Sequence, residues 1–176
     1  MLEQLGHISD PLVPLAIIGF IFFGLQTLSG RSLRKYQATA FLASNAVIIA
    51  EGIKDQLKFL FGRTWPETWV ENNPSFIHDN AYGFNFMHGG SGYQSFPSGH
   101  MAAACAVIAI LWIWHPQFRW IYTVAALVVG VGLVVANYHF LSDVFAGAYV
   151  GISTGWMVAA ICGKLLQPVR GNQPTP

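Results

Sequence analysis

The sequence predicts an all-α, polytopic membrane bundle of about five transmembrane helices, on three observations. The 176-residue chain is 53% hydrophobic and only 10% charged, with a mean hydropathy of +0.46, whereas a soluble domain carries about 25% charged residues. Five stretches hold no Asp, Glu, Lys, Arg or His. Basic residues fall unevenly on the connections between those stretches, as they do in membrane proteins. Length and continuity of pattern indicate one domain over residues 1–176.

The first stretch, Pro11–Gly30, has 20 residues, enough to cross about 30 Å of hydrocarbon as a helix. It lacks a basic leader region and follows Glu3 and Asp10, so it reads as a span and not as a cleaved signal. The second, Tyr36–Ala50, has 15 residues and is expected to continue through "EGIKDQLKFLF" to Phe61. A long connection follows, residues 62–97, rich in Gly, Asn, Trp and Pro; loops of this length usually carry function. Within it Trp65, Trp69 and Tyr82 suit a lipid–water interface. His78 and His88 read as surface or structural residues, and "HGGSGYQ" as a flexible approach that lacks a phosphate-loop pattern.

The third stretch, Met101–Trp114, has 14 residues and is expected to start near Ser98. The fourth, Trp120–Tyr138, has 19 residues, and the fifth, Val144–Gly163, has 20. Residues 168–176 read as a loose tail. Cys105 and Cys162 both lie inside apolar runs, as small core residues and not as a disulfide or metal pair. No Cys/His cluster has zinc spacing, so neither metal nor other cofactor is expected. A net charge of +1 provides no field for nucleic acid.

Alternating the spans places the N-terminus, the 62–97 loop and the 139–143 connection on one side. The other side receives Arg31, Arg34, Lys35, Arg119, Lys164 and Arg170, against Lys54, Lys58, Arg63 and all eight acidic residues on the first. The positive-inside rule puts the six basic residues in the cytoplasm and the acidic side outside. Lys58, His100, His139 and Asp143 then reach the same outer face. Ionisable residues at span ends are costly and mark function.

Each member of that set also has an ordinary structural use. His139 and Asp143 are four apart, so on a helix the carboxylate faces the ring and leaves the other nitrogen reactive; the same pair also suits a tight turn. His100 follows Pro97-Ser98-Gly99 at a helix start, where free amides and the dipole favour an anion, and Ser98 is a natural N-cap. Lys54 and Lys58 lie one turn apart with Glu51 on the same face, which a solvated helix end also explains. Together they supply what metal-free phosphoryl transfer needs: donors for spread charge, a nucleophile and an acid.

"FPSGHMAAACA" followed by "NYHFLSDVFAG" resembles the type 2 phosphatidic acid phosphatase superfamily, PAP2. The second family motif, Pro-Ser-Gly-His, is intact as Pro97–His100. The first, Lys-x6-Arg-Pro, reads Lys58, "FLFGRT", Trp65-Pro66; the third, Ser-Arg-x5-His-x3-Asp, reads Gly132-Leu133, "VVANY", His139, "FLS", Asp143. The resemblance implies a PAP2-like bundle in which His139 attacks phosphorus, Asp143 orients it, and His100 protonates the leaving group. It implies Lys58, Ser98 and the Gly99 amide as holders of phosphate oxygens.

Both motif arginines are replaced, by Trp65 and Leu133, and neither substitute carries charge. Arg63 and Lys54 are the expected replacements, with Asn137 a further donor. The family's membrane members commonly have six spans, one more than expected here. The resemblance thus implies a metal-independent membrane phosphatase acting on isoprenyl pyrophosphate, phosphatidylglycerol phosphate, phosphatidic acid or lipid A. Its site would face the outside of a bacterial inner membrane, with lipid phosphate and membrane lipids as partners. A lipid phosphotransferase using the same phosphohistidine, and a non-catalytic PAP2-like binder, are the alternatives.

Overall fold

The computed structural model describes residues 11–69 and 72–166, and within them the architecture is all-helical, with no strand. Glu3, Asp10, Arg170 and the 168–176 tail lie outside the described residues. Helix α1 spans Leu12–Leu28. It ends where the Thr27 and Ser29 hydroxyls donate back to the Phe23 and Leu25 carbonyls at 2.9 and 2.8 Å, just before Gly30 at φ 75°.

Helix α2 runs unbroken through Lys35–Phe61, the length expected. Gly62 stops it in the left-handed region at φ 52°, and a side chain there would stand 1.9 Å from the Asn85 carbonyl. Glycine is the residue that tolerates both constraints. Helix α3 is one short turn, Phe76–Asp79. Helix α4, Gly99–Trp114, starts at Ser98, whose side chain accepts from the Met101 amide, and stops before Pro116, which cannot continue it. Helices α5, Arg119–Val135, and α6, Leu141–Leu166, complete the bundle. Helix α6, which carries the fifth apolar stretch, thus begins at Leu141, three residues before Val144, and takes Asp143 into its first turn. A carboxylate there is favourable against the helix dipole.

Helix α4 is central, packed between α2 and α6. On α6, Gly147, Gly151 and Gly155 recur every fourth residue. Added side chains would stand 2.4 Å from the Ser98 carbonyl, 2.3 Å from the Ala102 carbonyl and 2.6 Å from Ala109 Cβ. The two backbones therefore touch along their length, the close approach that small residues permit. Leu42, Ala46, Val47, Ala106, Ile110, Val150 and Val158 close the core around that seam. Helix α5 stands off, burying only Gly130 and Leu133. It leaves an apolar groove of about 610 Å³ between α4, α5 and α6. Cys105 is buried and Cys162 half-buried, both as free thiols.

Two helical segments, Pro116–Val135 and Leu141–Lys164, are long and apolar enough to cross a membrane, while Leu12–Leu28 and Gly99–Trp114 are apolar but shorter. Length and apolarity therefore meet the expected five crossings in two helices. Outward-facing Leu15, Ile18, Phe22, Trp120, Leu127 and Val131 are exposed, an apolar surface of the kind that faces lipid.

The 62–97 segment is folded back on itself and is not a bare loop. Arg63 bridges to Phe84 and Gln94, and Trp65 to Ser75. Phe61, Phe84 and Phe96 pack edge to face around the end of α2, and Phe86 stacks on Phe84. Trp65 and Trp69, expected as interfacial anchors, are both half-buried within this segment. Trp69 stacks on Tyr138 with centroids 4.2 Å apart, and the Trp65 indole donates to the Ser91 carbonyl at 2.8 Å. His88 packs on Tyr93 and His78 pairs with Glu67, both outside the cavity described below.

Candidate active site

A cavity of about 400 Å³ opens where four elements meet: Val13 of α1, Glu51, Lys54 and Lys58 of α2, Trp65 of the 62–97 segment, and Gly99, His100 and Ala103 of α4. His139, from the turn between α5 and α6, closes it. Local rules deliver each group. The last turn of α2 carries Lys58, buried at 8% exposure, whose ammonium donates to the Gln94 carbonyl and stands 5.5 Å from the Trp65 ring. The first turn of α4 presents His100 beside the Gly99 amide, whose helix start lies under the Lys54 side chain.

The α5–α6 turn is tied to the start of α4 by a backbone bond from the Ser98 amide to the Asp143 carbonyl at 3.0 Å. That bond fixes the two motif segments to each other. The His100 and His139 rings stand 6.3 Å apart, centroid to centroid.

His139 is 3% exposed, and its Nδ1 lies 3.8 Å from Asp143 Oδ2. That is ion-pair range, beyond a hydrogen bond, and Nδ1 meets no other partner. The carboxylate is otherwise engaged. Oδ1 accepts from Arg63 Nη1 at 2.5 Å, while Oδ2 accepts from Ser95 Oγ at 2.7 Å and the Phe140 amide at 3.1 Å. Burial pushes the His139 ring down from its usual 6.5 to about 4; Asp143 pulls the other way, and Lys58 and His100 add to the lowering.

The ring is therefore neutral through the physiological range. We expect NMR of ring-labelled protein in micelles to show His139 titrating near pH 4. A midpoint at 6.5 or above would mean that an imidazolium is already paired with Asp143.

Of the residues expected at the site, the fold brings together Lys54, Lys58, Gly99, His100 and His139, with Asp143 directly behind His139. It does not bring three others. The Ser98 hydroxyl is fully buried as the α4 cap. Asn137 is outside the cavity lining, and its carbonyl accepts from Trp69 Nε1. Arg63, expected as a phosphate clamp, lies outside the cavity lining and donates to Asp143, Ser142 and Tyr82. Lys54 reaches the cavity but is paired with Glu51 at 2.7 Å and Asp55 at 2.9 Å.

Trp65 is the cavity wall that sequence reasoning missed, with its ring 5.3 Å from that of His139. Its place in the first motif is the signal that points there. Among the described residues, no three His, Cys, Asp or Glu side chains converge as a metal-ligating group.

Comparison with known proteins identifies the family. The PAP2 superfamily model matches residues 39–166. A lipid A 1-phosphatase of Rhizobium etli is 32% identical over 108 residues, covering 57% of this chain and 45% of that protein. The chain thus spans about half the length of that curated relative. Phosphatidylglycerophosphatase B of Bacillus subtilis is 27% identical over 161 residues, covering 73% of this chain and 71% of that protein. The crystal structure of Aquifex aeolicus LpxE shares the fold, with a TM-score of 0.54 at 20% identity, over 90% of this chain and 92% of that one. With the family match running from the second turn of α2 to the end of α6 and enclosing Lys58, the Pro97–His100 turn, His139 and Asp143, the chain belongs to the PAP2 superfamily.

Proposed function

We propose that the chain is a lipid phosphatase that hydrolyses a phosphomonoester or pyrophosphate through a phosphohistidine on His139. The observation that carries this reading is the pair of histidines facing each other across a cavity that also holds Lys58 and a helix N-terminus. A phosphoryl group seated there meets the Lys58 ammonium and the Gly99 amide, which match its spread negative charge. His139 is neutral, with Nδ1 turned to Asp143, so the Nε2 lone pair attacks phosphorus. As the P–N bond forms, the P–O bond to the lipid breaks, and His100 gives its proton to the departing oxygen. Water then attacks the phosphohistidine, His100 takes its proton, and the P–N bond breaks to release phosphate.

The substrates named for the relatives, lipid A and phosphatidylglycerophosphate, carry phosphate where a lipid head meets water, and the cavity lies where α2 ends and α4 begins. Arg31, Arg34, Lys35, Arg119 and Lys164 sit at the opposite end of the helices. This distribution supports five crossings with the cavity facing outward from a bacterial inner membrane.

The test is phosphate release from a panel of lipid A, phosphatidylglycerol phosphate, phosphatidic acid and isoprenyl pyrophosphate, with EDTA present. We expect turnover of at least one, and the same activity from outside in sealed right-side-out vesicles. Binding of these lipids with no phosphate release would leave a PAP2-like binder. Release only in inverted vesicles would reverse the topology.

A further inference from the structure

We propose that Arg63 is a positioning residue that acts on His139 through Asp143; this rests on His139 being the nucleophile. The guanidinium is 3% exposed and enclosed by aromatic faces: Phe140 at 4.3 Å, Phe84 at 4.9 Å and Tyr82 at 5.2 Å from its carbon. Its Nη1 donates to Asp143 Oδ1 at 2.5 Å and to Ser142 Oγ at 2.6 Å, and Nη2 to the Tyr82 hydroxyl at 3.0 Å. Turning it toward the cavity would abandon a fully buried carboxylate, and a buried charge stripped of its partner is strongly destabilising.

The network defines the orientation of Asp143. Arg63 grips one oxygen. Ser95, whose amide donates to the Arg63 carbonyl at 3.1 Å, and the Phe140 amide hold the other. The carboxylate cannot rotate toward His139, so its Oδ2 stays 3.8 Å from Nδ1 until the ring comes to it. When Nε2 attacks, the imidazole becomes cationic and the attraction across that gap rises. A fixed carboxylate meets the new charge without reorganising, which is where electrostatic stabilisation is most effective. In this chain the guanidinium near the first motif therefore serves the nucleophile's support and not the phosphate.

The experiment is steady-state kinetics on a short-chain phosphatidic acid in micelles, for R63M, R63K, D143N and the double variant R63M/D143N, with insertion checked for each. A positioning role predicts a fall in kcat of about 100-fold for R63M with KM within about threefold of the parent, and recovery of roughly tenfold in R63K. It also predicts that R63M costs less than about threefold once Asp143 is already Asn, because both changes act through one carboxylate.

A raised KM with kcat retained would make Arg63 a phosphate clamp and overturn the proposal. So would a full R63M loss in the D143N background, or parent-like kinetics throughout. If R63M fails to insert, R63K and the charge-neutral double variant carry the same test: a KM effect in R63K, or a double variant well below D143N, sinks it. Parent-like turnover by His139→Ala would instead bring down the phosphohistidine reading, whatever Arg63 does.

Discussion

His139→Ala is expected to lose at least about 10⁴-fold in turnover, because removing a nucleophile from a cooperating set costs nearly as much as removing the set. The protein should still insert, since His139 makes no hydrogen bond through its buried Nδ1 and its backbone amide, which donates to the Leu133 carbonyl, is kept in the variant. His100→Ala is expected to lose about 10²–10⁴-fold, the range for general acid–base catalysis. The two losses should respond differently to the leaving group. An aryl phosphate such as p-nitrophenyl phosphate departs without needing a proton, so it relieves the first step of its demand on His100. His100→Ala should therefore retain far more of the parent rate on the aryl ester than on the lipid phosphate. His139→Ala should be inactive on both, because no leaving group replaces the attacking nitrogen. The measurement is phosphate release from each substrate, with trapping of ³²P on the protein. Label retained on the His139→Ala variant, or an aryl ester that fails to distinguish the two histidines, would refute the assigned roles.

The fold was legible where apolar runs end in residues that cannot continue a helix. Gly30, Gly62 and Pro116 punctuate the sequence, and α1, α2 and α4 end at or just before them. The start of α6 was less legible, because Asp143 interrupts the apolar run although a first-turn carboxylate belongs inside the helix. The cavity residues His100, His139 and Lys58 were legible because each ends or begins an apolar run.

The destination of Arg63 was not legible. Its partners Ser142 and Asp143 lie 79 and 80 positions away and Tyr82 lies 19 away, and no local pattern encodes that convergence. A cation near a phosphate motif suggests phosphate; only the fold shows that a buried carboxylate claims it first. The loop aromatics carry the same lesson, since a residue type that suits an interface does not reveal its packing partner, and Tyr138, on which Trp69 stacks, lies far along the chain.

The seam between α4 and α6 sets the second large effect. A side chain at Gly151 would stand 2.3 Å from the Ala102 carbonyl, 2.8 Å from the Ala106 amide and 2.8 Å from Cys105 Cβ. None of these can rotate away, since two are backbone atoms and the third is fixed to it. Even Gly151→Ala must push the helices apart, and Gly151→Leu more so. Overpacking an ordinary core costs about 1–3 kcal/mol; contact with rigid backbone puts Gly151→Leu at or beyond roughly the top of that range.

Gly132 supplies the control. It lies within α5, where an added side chain meets nothing within 4 Å, so Gly132→Ala should be neutral or stabilising by up to about 1 kcal/mol from helix propensity. Gly147 adds a functional arm, because its side chain would press the Ser98 carbonyl at 2.4 Å, the residue whose amide holds the Asp143 carbonyl. Gly147→Ala should therefore lower turnover more than it lowers the unfolding temperature, by shifting His100 against His139. Thermal unfolding in detergent, read beside kcat for the three positions, checks the order. If Gly151→Leu unfolds at the parent temperature, α4 and α6 do not touch along this seam, and the geometry that joins the two histidines must come from elsewhere.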